Sequence, residues 1–134
     1  DAALISANQD RLNRKMASEV ERFSFFDEIV TPGADTLIVT YGVTARAAKT
    51  AVETLRDTGT PVSLLVLKTL WPVPEDLLRE KAAGYDRIVV VEMNLGQYVR
   101  EIQRVLSGRD IRFLGQMDGE LIKPRQIEEV VRHG

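Results

Sequence analysis

The stretch Glu92-Met93-Asn94-Leu95-Gly96-Gln97 concentrates groups able to do chemistry. Glu92 ends the apolar run Ile88-Val89-Val90-Val91 with a charged carboxylate, which can accept hydrogen bonds. Asn94 has helix N-cap chemistry, and Gln97 stands three residues on, where a capping-box partner belongs. Gly96 weakens a first helical turn and so points to close approach to the backbone there. The same string also suits a capped helix with a hydrogen-bonded carboxylate at a sheet rim. Gly42-Val43-Thr44 is a second candidate, because it leaves free backbone N–H groups at a helix start, where an anion is favoured. Neither the dinucleotide-binding glycine pattern nor a Walker A pattern is present, and a plain strand-to-helix turn fits these residues as well. Lys68 suits an anion or solvent, and Trp71 suits a surface ridge or a flap over the core.

Other chemistry is excluded by composition. The chain has no cysteine, so disulfides, thiolate metal sites, iron–sulfur ligation and cysteine nucleophiles are absent from it. Its single histidine, His133, lies beside the C-terminus, which excludes a multi-histidine metal site and an internal Ser-His-Asp triad. Lys and Arg number 18 against 20 Asp and Glu, a net charge of −2, so there is no general basic field for nucleic acid or an anionic membrane. No apolar run approaches the ~20 residues that span a bilayer, and no signal-peptide pattern opens the sequence, which makes the cytoplasm the expected location. With 134 residues, 44% hydrophobic and 28% charged, one compact domain is expected. The opening Asp1-Ala2-Ala3-Leu4-Ile5-Ser6 suits a processed terminus or a trimmed tag, and reads more sharply as the start of a piece from a longer polypeptide.

The elements that must position these residues follow from periodicity. Leu12, Met16, Val20 and Phe23 form a helical stripe over 9–23, with Asn8 as cap. From Thr36 the chain alternates regularly. Thr36–Tyr41, Val62–Leu67 and Arg87–Glu92 read as strands buried on both faces, and Ile111–Leu114 as a last short strand. Between them, Thr44 can cap a helix with Ala48, Ala51, Val52 and Leu55 inward, closed by Gly59. Pro74 opens a short helix with Glu75 and Asp76 in its first turn, and a helix over 95–106 buries Val99, Ile102 and Leu106. Pro124 starts a terminal helix with Ile127, Val130 and Val131 inward. Strand–helix–strand repeats with connections of this length mean parallel pairing in a three-layer α/β fold.

Thr40-Tyr41-Gly42, Ala51-Val52 with Leu55-Arg56 and Gly59, Leu70-Trp71-Pro72-Val73-Pro74 and Val91 to Gln97 together resemble one family. It is the C-terminal domain of the α subunit of 2-oxoacid:ferredoxin oxidoreductases, also called core domain II of pyruvate:ferredoxin oxidoreductase. The resemblance runs from about Phe25 to His133. It implies a transketolase C-terminal-like fold, a five-stranded mixed sheet in which Phe25–Val30 is an antiparallel edge strand returning along Thr36–Tyr41. It makes residues 1–23 a linker helix from a preceding domain and 24–134 the α/β domain. The whole enzyme of this family oxidises a 2-oxoacid with coenzyme A to an acyl-CoA and reduces ferredoxin. It uses thiamine pyrophosphate, magnesium and iron–sulfur clusters. The resemblance places those groups on the β subunit and the remaining domains, leaving this domain without catalytic, cofactor-binding or metal residues and inactive alone. Gly42, Glu92, Asn94, Gly96 and Gln97 match the family pattern and are carried over only as subunit or ligand contacts at the strand ends.

Two other readings stay open on the residues. One is a stand-alone, flavodoxin-like domain that binds an anion at the Gly42 and Asn94 helix starts; the other is a different thiamine enzyme sharing the fold, against which the Glu92–Gln97 string argues. The 2-oxoacid is not legible.

Overall fold

The structure, a computed structural model, describes residues 25–93, 96–116 and 120–134. Among them the elements are β1 (Phe26–Ile29), β2 (Thr36–Tyr41), α1 (Thr44–Asp57), β3 (Val62–Leu67), α2 (Glu75–Ala82), β4 (Arg87–Glu92), α3 (Gln97–Val105), β5 (Asp110–Gly115) and α4 (Pro124–His133). The expected helix over 9–23 lies outside the described residues. No described helix is long and apolar enough to cross a membrane.

The sheet order is β1-β3-β2-β4-β5, with β1 antiparallel to β3 and the other pairs parallel. Apolar residues on alternate sides of each inner strand build two cores. Leu37, Val39, Leu65, Leu67, Ile88 and Val90 pack against α2 and α3. Ile38, Leu64, Val66, Val89 and Val91 pack against Ala48, Val52 and Leu55 of α1 and Ile127 and Val131 of α4. Every residue of β3 is buried, which is why its sequence reads as an uninterrupted apolar run. Burying each large aliphatic side chain contributes about 1.5–3 kcal/mol, enough for the two layers to fix strand register.

The edge strand differs from expectation in its partner. β1 does not return along β2; it pairs with β3, Phe26 opposite Leu67 and Ile29 opposite Leu64. Both sides of β2 are already taken by β3 and β4. The outer edge of fully buried β3 is what needs covering, and β1 covers it while turning Asp27 and Glu28 outward, as suits an edge. The link to β2 passes the amino end of β3, where the Thr31 N–H donates to Ser63 Oγ at 2.9 Å.

The termini of α1 show one miss and one agreement. Thr44 is the first helical residue and is buried, so the cap position falls to Val43, which offers no side-chain acceptor. At the other end Gly59, at φ +87°, closes the helix as expected: its N–H donates to Arg56 O and that of Thr60 to Leu55 O.

The connections give the sheet its functional edge. The chain leaves β2 through α1 toward β3, and leaves β4 through α3 toward β5 on the opposite face. Neighbouring strands β2 and β4 therefore send their connections apart, opening a crevice at their carboxyl ends where ligands or partners sit in such sheets.

Candidate functional site

Tyr41 ends β2 and Glu92 ends β4, so both stand at that crevice. Glu92 is fully buried. Its Oε1 accepts from the Tyr41 hydroxyl at 2.7 Å and the Tyr98 N–H at 3.2 Å, and its Oε2 accepts from the Val99 N–H at 2.8 Å. Tyr98 and Val99 are the second and third residues of α3, among the helix-start donors that have no partner within the helix. The carboxylate of one element thus caps the next, with its charge at the positive end of the helix dipole. Below it, the Thr40 hydroxyl donates to Val91 O at 2.7 Å and ties β2 to β4.

The helix begins later than the expected capping box requires. The residue preceding α3 is Gly96, in the left-handed region at φ +92°, and Gln97 is the first helical residue instead of the third. Asn94 lies outside the described residues. Gly96 is buried, and a Cβ there would stand 3.2 Å from Val99 Cγ1 and 3.4 Å from the Phe113 ring. The close approach inferred from its sequence position is therefore made by side chains of the same domain. Gly42, at φ +66°, has open space where a Cβ would be; like Gln97, it is exposed.

Sequence reasoning missed Tyr98. It is buried, edge-on to Tyr41 at 5.6 Å and to Trp71 at 5.7 Å between ring centroids, and its hydroxyl donates to Leu70 O at 3.2 Å. Burial, then the Glu101 charge and Tyr41, pushes its phenol well above the ordinary tyrosine range. The available signal was a tyrosine one residue after Gln97, facing a strand that ends in Tyr41. Trp71, reached through a cis Trp71–Pro72 bond, is 62% exposed, so it stands as a surface ridge rather than a core flap. Lys68 is paired with Asp27 at 3.1 Å.

Chemically, the arrangement holds structure in place. All the donors on the Glu92 oxygens are groups of this domain, which leaves the carboxylate sealed from a substrate. Among the described residues, clefts lie on either side of Gly42. One of 510 Å³ reaches Tyr41, Lys68 and Leu70, and one of 780 Å³ runs past Val43 and Met93 to Leu121.

A five-stranded sheet with one antiparallel edge and helices on both faces is a transketolase C-terminal-like α/β domain. Accordingly it superposes on a split-gene transketolase with a TM-score of 0.64, at 22% identity over 79% of this chain and 40% of that one. The family is more specific: the chain belongs to the pyruvate:ferredoxin oxidoreductase core domain II family, whose model matches residues 34–127. It is 37% identical over 121 residues to the ketoisovalerate oxidoreductase subunit VorB of Methanothermobacter thermautotrophicus, covering 90% of this chain and 34% of that protein. A 2-oxoglutarate:ferredoxin oxidoreductase from Magnetococcus marinus, solved with 2-oxoglutarate, coenzyme A and succinyl-CoA, shares the fold with a TM-score of 0.78. The identity is 23%, over 95% of this chain and 23% of that one. The chain spans about a third of the length of the curated relatives it matches.

Proposed function

We propose that this chain is the C-terminal domain of a 2-oxoacid:ferredoxin oxidoreductase α subunit and serves its assembly. The supporting observation is the family match over residues 34–127, in a domain whose most distinctive polar cluster is sealed from solvent. The whole enzyme oxidises a 2-oxoacid with coenzyme A to an acyl-CoA and passes electrons to ferredoxin. The acid is chosen outside this domain, in keeping with relatives named for different acids.

Among the described residues the donor set does not fit the cofactors of such an enzyme. Iron–sulfur clusters need thiolates, and the chain has no cysteine. Magnesium and the thiamine pyrophosphate it anchors need open oxygen donors, and the Glu92 oxygens already accept from Tyr41, Tyr98 and Val99. These groups belong to the β subunit and the remaining domains. Gly42 and Gln97, both exposed, belong to the contact surface at the strand ends, and the buried Gly96 and Glu92 support it from beneath. Residues 1–23 connect to a preceding domain, and the enzyme works in the cytoplasm.

The test is to express the full parent chain with its partner subunit and to follow coenzyme A-dependent reduction of a viologen dye by a panel of 2-oxoacids. Activity is expected only in the assembled enzyme. Turnover by residues 1–134 alone, supplied with thiamine pyrophosphate, would overturn the reading.

A further inference from the structure

The larger cleft beside Gly42 is separate from the Glu92 cluster. It lies between the first turns of α1 and residues 121–124 ahead of α4. Val43 and Leu121, among the most exposed large apolar residues described, at 62% and 59%, both line it. Arg46 and Lys49 stand along the same wall, and no carboxylate lines the cleft among the described residues. Lys49 meets Asp27 only at 4.0 Å, and that carboxylate is already held closer by Lys68, at 3.1 Å. The first turn of α1 carries no acidic side chain, and its start has no side-chain cap. A chain of net charge −2 thus presents here a cationic groove with an apolar floor and lip.

We propose that this cleft is the socket for a segment of a partner protein, one that sets an apolar side chain between Val43 and Leu121 and a carboxylate against Arg46 and Lys49. A small anion would leave both apolar side chains wet, whereas a protein segment covers them and meets the charge. Complementary charge at such a rim steers encounter and rejects other partners. The proposal rests on the reading that this chain is one domain of a multi-subunit oxidoreductase, and it assigns the partner's chemistry at a surface that reading leaves unassigned.

The test uses the full parent chain and its partner subunit, with association followed by sedimentation. Arg46→Glu with Lys49→Glu, and separately Leu121→Asp, should each weaken association about tenfold or more, with unaltered thermal melting. Wild-type association should weaken as salt rises, and Arg46→Gln with Lys49→Gln should flatten that dependence. Association unchanged by the charge reversal and by Leu121→Asp, or indifferent to salt, would overturn the socket. So would substitutions that abolish self-association of the parent chain while sparing the partner, since the occupant would then be a second copy. An assembled wild-type enzyme that oxidises no 2-oxoacid would overturn the functional reading and leave the socket standing. A wild-type pair that does not associate would overturn both.

Discussion

The Tyr41 hydroxyl donates to Glu92 Oε1 at 2.7 Å across two neighbouring strands, and the same carboxylate holds the start of the helix that follows. One side chain therefore joins β2, β4 and α3 at the point where the connections diverge. Glu92→Leu leaves two backbone N–H groups buried without an acceptor, at about 1–3 kcal/mol each. Glu92→Gln keeps a carbonyl acceptor and loses less. Tyr41→Phe removes one hydrogen bond to a charged acceptor, toward the lower end of about 1.5–3 kcal/mol. Urea unfolding of the single and double variants should show strong non-additivity, because the two residues share the bond. A Glu92→Leu variant as stable as wild type would contradict this account.

Two glycines separate backbone strain from crowding. At Gly42 an alanine meets only the left-handed backbone, at about 1–2 kcal/mol. At Gly96 the same strain adds to a 3.2 Å contact with Val99 and a 3.4 Å contact with Phe113. Gly96→Ala should therefore destabilise more than Gly42→Ala, as read from denaturation midpoints. The reverse order would mean that the α3 entry is looser than its geometry.

The buried phenol predicts an alkaline limb. Tyr98 titrates above its unfolded value because burial disfavours the phenolate. Stability from this group is full below the unfolded tyrosine value, about 10, and is lost as pH rises through the higher folded value. Tyr98→Phe should flatten the alkaline fall in stability. Tyrosinate absorbance of wild type and Tyr98→Phe should differ by a phenol that ionises only with unfolding; a difference that titrates in the native state would sink this.

Trp71 is the single tryptophan, and it stands exposed against Tyr98. Its emission, isolated in the parent chain as the difference from a Trp71→Phe variant, should be that of a solvent-exposed indole and should shift to the blue on assembly with the partner subunit. Trp71→Ala should cost folding stability little, since most of the ring is already wet. An emission spectrum unmoved by assembly would place the contact elsewhere.

The alternation of buried strands with amphipathic helices was legible because each inner strand is sheathed on both faces, so its apolar run is local in the sequence. The partner of β1 was not, since pairing with β3 depends on which edge remains uncovered once β2 has two neighbours. At the site, Glu92 stood out as a charge ending an apolar strand and suited a hydrogen-bonded carboxylate at the sheet rim, but its helix partners, the N–H groups of Tyr98 and Val99, were not legible. Capping patterns count residues along one segment, whereas this cap reaches from a strand end past Gly96.

By itself, the sequence determined the layer architecture, the family and the absence of thiolate chemistry, all of which follow from local periodicity, motif identity and composition. Only the tertiary structure decided which groups the buried Glu92 carboxylate ties together. Its proton acceptors are committed by Tyr41, Tyr98 and Val99, and those three meet only when β2, β4 and α3 close around it.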